Sequence, residues 1–236
     1  MLLTLREAFT LGYLPAAMGA YWNGVALLVR IAEQPDPNLK RRLQKRELAL
    51  REQEGAISED LRQVEALLQK LGDKMPSLPR LAPDYSMWYG AILEAAHQKL
   101  KLQGPAEATC LMAGLQLGEA WETLSLAWLT YYFLTSVPDQ PLLRAQATVL
   151  GRSQKKAVRR TQRLAEEPQW TPAQRQVLSE ISEAFSKLPA LDLEESPELD
   201  GAFRLRAIVT AMEVISVRLQ SFPSMLAHTP ADPPTG

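Results

Sequence analysis

The sequence predicts an all-α protein, an irregular bundle of about seven helices around one central apolar helix. Three observations lead there. Between Pro105 and Ser136 the only charges are Glu107, Glu119 and Glu122, and apolar residues fall in every angular sector, as in a helix enclosed by other helices. Leu43, Leu50, Ile57, Val64 and Leu71 recur every seven residues, with Leu61 and Leu68 four places after two of them, which makes a coiled-coil-like seam. No strand-like alternation bounded by turns, and no repeat of fixed period, occurs along the chain.

The first helix is expected from Thr4 to about Glu33, with a bend at Pro15, where the ring removes a backbone donor and crowds the preceding turn. Asp36-Pro37 supplies an N-cap and a proline for the first helical position of a long second helix reaching Lys70 or Leu71. Its first half carries Glu47 and Glu54 between the seam positions and the bases Lys40, Arg41, Arg42, Lys45 and Arg46. That half is therefore expected to be the more exposed. Pro76 and Pro79 mark a loop, and Pro83 opens a third helix to about Leu102 with an aromatic face of Tyr85, Trp88 and Tyr89. The central helix restarts at Gly104-Pro105 and ends before Pro138, because the residue before a proline is pushed out of the helical region. The glycines of the first and central helices are spaced as close-packing positions and not as a phosphate-binding Gly-x-Gly-x-x-Gly.

The fifth helix, from about Pro141 to Ala165, is the most polarised stretch, with Arg144, Arg152, Lys155, Lys156, Arg159, Arg160 and Arg163 and no acid before Glu166. From Glu166 onward the sign reverses, with 11 acidic against five basic residues. The basic helix either faces acidic neighbours, within the fold or in a second copy, or presents an anion-binding face. Thr171-Pro172-Ala173-Gln174 matches a capping box and starts the sixth helix, whose stripe is Leu178, Ile181, Phe185 and Leu188. Ser196-Pro197 caps the seventh, with Leu205, Ile208, Met212, Ile215, Leu219 and Phe222 on one face. The expected organisation is a main bundle over 1–167, a helical hairpin over 168–222 packed on it or merged with it, and a disordered proline-rich tail over 223–236.

Composition narrows the function classes. With 26 basic and 27 acidic residues the chain has no global attraction to polyanions, so any such role depends on local patches. The single cysteine, Cys110, excludes an internal disulfide and fits a reducing compartment. The N-terminus lacks a secretory pattern, so a cytoplasmic location is expected, with contact at a membrane surface as the variant. Ala8 to Val29 is uncharged for 22 residues, long enough to span a bilayer, yet Pro15, Asn23 and three glycines favour a buried core helix.

Catalytic chemistry has few residues to draw on. His97 and His228 are the only histidines, and Glu94-x-x-His97 lacks the second such motif that a di-iron bundle needs, so no metal or other cofactor is expected. Glu119 and Glu122, beside Trp121, lie three apart on the apolar central helix. They are read either as structural ion pairs or as the carboxylates of a cavity acting on or carrying a small ligand. The expected function is non-enzymatic: an adaptor, assembly factor or complex subunit that binds a protein or itself through the second helix's seam and the bases of the fifth. The alternative is peripheral binding of nucleic acid or anionic membrane through Lys40 to Arg46 and Arg152, Lys155, Lys156, Arg159, Arg160 and Arg163.

Overall fold

A computed structural model describes residues 3–32, 57–78, 82–136, 141–191 and 200–226, and among these the regular structure is helical throughout. The elements are α1 (Leu5–Ala32), a helical segment α2 over 57–70, α3 (Ala82–Gln103), α4 (Pro105–Ser136), α5 (Pro141–Glu166), α6 (Pro172–Ser186) and α7 (Gly201–Leu226). The upstream half of the expected second helix, with Leu43, Leu50 and the bases Lys40 to Arg46, lies outside the described residues, as does 227–236.

The central position of α4 is realised, and α1 is its principal neighbour. Their contact is built from glycine on both sides. A Cβ on Gly12 would overlap the Leu111 carbonyl oxygen, and one on Gly114 would overlap that of Phe9 and stand 2.9 Å from the Tyr13 nitrogen. A Cβ on Gly118 would meet Ala16 Cβ at 2.8 Å. The two backbones therefore touch directly, a proximity that any larger residue forbids. Because α1 and α4 bury apolar residues on most sides, neither shows a one-sided stripe. None of the described helices is long and apolar enough to cross a membrane.

α1 remains helical through Pro15, whose carbonyl accepts the Tyr85 hydroxyl at 2.7 Å. Tyr85 also stacks on Trp22, with centroids 5.5 Å apart, and contacts Trp88 and Tyr89, so the aromatic face of α3 closes on α1. Val64, Leu67 and Leu68 of α2 are buried in the common core, with Ile57, Leu61 and Leu71 packed against it. The described half of the seam thus packs, at least in part, within the protein's own bundle.

α6 begins with the expected reciprocal cap: the Thr171 hydroxyl accepts the Gln174 amide, and the Gln174 side chain accepts the Thr171 amide at 2.9 Å. Residues of α6 and α7 belong to the same core as α1 to α5, so the C-terminal pair shares one hydrophobic interior with the rest. Residues 223–226, expected to begin a disordered tail, are helical, since α7 continues to Leu226. Phe222, against Phe9 at 5.3 Å and Trp170 at 5.6 Å, and Leu226 are both buried. Burying two such side chains yields about 3–6 kcal/mol, enough to offset the roughly 3 kcal/mol that a proline costs inside a helix.

Candidate functional site

The strongest polarity in the fold lies on α5. Leu143, Ala147, Leu150, Gln154, Ala157, Thr161 and Leu164 recur at intervals of three and four and are buried, which turns the basic residues outward. Arg152, Lys155, Lys156, Arg159 and Arg163 are exposed and, at 3.6 residues per turn, fall within about 100° of arc along roughly 16 Å of helix. Among the described residues, Arg152, Lys156, Arg159 and Arg163 form no ion pair. The acids of α6 are engaged elsewhere, Glu180 with Arg218 at 2.5 Å and Glu183 with Lys187 at 2.7 Å. Arg160 differs from its neighbours: it turns inward and pairs with Glu119 of α4.

That pair borders a polar cavity of about 160 Å³ between α3, α4 and α5, lined among others by Tyr89, Glu119, Glu122, Ser153, Lys156 and Arg160. Glu122 reaches it from the α1 side of α4. Its carboxylate accepts a hydrogen bond from Asn23 Nδ2 at 2.6 Å and fills the space left by Gly19, where a Cβ would stand 2.8 Å from Glu122 Oε1. Burial pushes the Glu122 carboxyl up to about 7, against the lowering effect of the Asn23 bond. Burial, and next the charge of Glu122, push the Tyr89 hydroxyl up to about 12.

Trp121 faces a different space. It lines a cavity of about 540 Å³ between α1, α2, α4 and α7, together with Tyr13, Tyr21 and Trp128 and the carboxylates of Asp60 and Glu213. Glu119 and Glu122 thus share one cavity while Trp121 belongs to another, because successive helical residues diverge by about 100°. Burial raises the proton affinity of Asp60, with the neighbouring charge of Glu59 adding to it. Burial and then Asp60 raise that of the Tyr13 hydroxyl.

Other residues singled out in the sequence are placed less suggestively. Glu94 accepts a hydrogen bond from Gln98 at 2.7 Å, and His97 is half-buried near Pro105 and Leu164. No three of His, Cys, Asp and Glu converge as metal ligands among the described residues. Cys110 is buried, and burial pushes its thiol up to about 12, which suppresses the reactive thiolate. Sequence reasoning missed Asn23 as the partner of Glu122, Asp60 as a cavity carboxylate, and Arg204, which is fully buried. An amide within an uncharged stretch was the available signal for Asn23.

No family model, curated protein or solved structure matches the chain.

Proposed function

We propose that this is a non-enzymatic helical protein that works by docking the basic face of α5 onto an acidic surface of a partner protein. The observation that supports this reading most is the exposure, on one face, of Arg152, Lys156, Arg159 and Arg163, which form no ion pair among the described residues. A protein partner is favoured over nucleic acid for two reasons. α5 contains no aromatic side chain on which a base would stack, and the formal net charge of −1 gives no long-range attraction to a polyanion. Exposed Val149 beside the bases adds an apolar contact of the kind protein interfaces use.

The test is capture of the tagged protein from its native host, with and without nuclease, beside the variant R152E/K156E/R159E/R163E. A stoichiometric protein partner that survives nuclease and is lost with the variant is the expected result. Retention of that partner by the variant removes α5 from the interface. Loss on nuclease treatment, or recovery of lipid alone, replaces the protein partner with nucleic acid or membrane. These bases are exposed and form no ion pair among the described residues, so the variant is expected to keep the parent's Tm.

A further inference from the structure

The cavity that receives Trp121 has a composition that selects its occupant. Its walls include four aromatic rings, those of Tyr13, Tyr21, Trp121 and Trp128, and its space exists because α1 offers Ala17, Ala20 and Gly24 along it. At about 540 Å³ it lies in the size range of small-molecule sites, which are mostly apolar with a few placed polar groups. The charged residues lining it are Asp60 and Glu213, and no lysine, arginine or histidine lines it among the described residues. Asp60 is half-buried and makes no ion pair among the described residues, so its carboxylate is partly stripped of water with no counter-charge from those residues.

A neutral occupant would leave that carboxylate uncompensated, and an anion would be repelled by both acids. A cation would satisfy them, and the electron-rich faces of Trp and Tyr attract cations as well. We propose that this cavity is a binding site for an organic cation with an apolar body, held between the aromatic rings with its charge directed at Asp60 and Glu213. Burial raises the proton affinity of Asp60, and the field of Asp60 reaches the Tyr13 hydroxyl, as expected of a carboxylate beside the ring of Tyr13 in the cavity wall. The site is separate from the basic face of α5 and stands or falls independently of it.

Three probes share one apolar body and differ in charge: phenylbutylamine, phenylbutanol and phenylbutyrate. Titration calorimetry on the full chain at neutral pH is expected to rank them in that order, with the amine bound roughly tenfold more tightly than the alcohol. The variant D60N/E213Q is expected to bind the alcohol as the parent does and to lose the preference for the amine. Unchanged alcohol binding shows at once that the variant is folded. E122Q, which alters the neighbouring polar cavity, leaves the amine preference in place. Equal affinity for the three probes, absence of binding, or an amine preference that survives D60N/E213Q and disappears in E122Q would overturn the assignment.

Discussion

The two principal contacts of α4 are built in opposite ways. Toward α1 the helices meet backbone to backbone, through Gly12, Gly114 and Gly118. Toward α5 the contact includes the Glu119–Arg160 pair and the polar cavity beside it. The first contact has no slack, since a single added methyl group meets a carbonyl oxygen. The second has room for titratable groups and enclosed space, since the Glu119–Arg160 pair and a cavity of about 160 Å³ lie within it. The carboxylate of Glu122 lies where the two regimes meet, seated against Gly19 and bonded to Asn23. Where backbones touch, a fold is defined by what is missing from the side chains. Where side chains span the gap, it is defined by their chemistry.

The sharpest way to break this contrast is Gly12→Ala. The clash with the Leu111 carbonyl is expected to cost about 3 kcal/mol or more, outweighing the roughly 1 kcal/mol of helix propensity that alanine adds. Urea denaturation measures it, and a stability equal to the parent's would mean that the helices separate without penalty. Glu122→Gln is expected to have the next largest effect, and in the stabilising direction. Its folded carboxyl, near 7, holds the proton more tightly than the ordinary value of 4.5. Ionisation therefore opposes folding: its cost is absent below about pH 4.5 and grows as the pH rises toward and through 7. Allowing for partial solvent access, the variant should gain about 2 kcal/mol at pH 8 and nothing at pH 4. A pH profile parallel to that of the parent would contradict burial of the charge.

Gly90→Ala is the counterpart of the first change on an open surface. Nothing stands within 4 Å of a Cβ there, so thermal denaturation should show a gain of up to about 1 kcal/mol. The smallest effect is expected from Arg160→Gln. The pair that it breaks is about a third exposed, with side-chain exposures of 36% and 30%, and water screens it. A loss of about 0.5 kcal/mol is expected in the same assay, and a loss several times larger would mean that the α4–α5 side is as unforgiving as the α1 side.

The fold was legible wherever pattern follows packing. The uniform apolarity of Pro105–Ser136 announced an enclosed helix, and the Thr171–Gln174 box announced the start of α6 to the residue. The glycines of α1 and α4 were legible as close-packing positions, although nothing in their spacing said that they would meet each other. The candidate sites were less legible, because a site depends on which helices become neighbours. Adjacent Trp121 and Glu122 looked like one cavity and belong to two. Asp60 lay unremarked on a charged helix until α1 and α7 enclosed the space beside it. Pro223 misled because a local rule about proline ignores the burial of Phe222 on one side and Leu226 on the other.

Arg204 ties the last helix to the rest in a way that bears on how the molecule opens. Its guanidinium is fully buried and donates to the Ala190 carbonyl at 2.5 Å and to the Tyr131 hydroxyl at 3.2 Å, while that hydroxyl donates to the Leu191 carbonyl. A guanidinium keeps its charge at any ordinary pH, so it cannot be exposed by halves: once one of these bonds opens, water must reach the rest. α7 and the chain around Leu191 should therefore exchange their amide hydrogens as one cooperative unit, with a shared opening free energy, and the first half of α7 should not fray independently of the segment that follows α6.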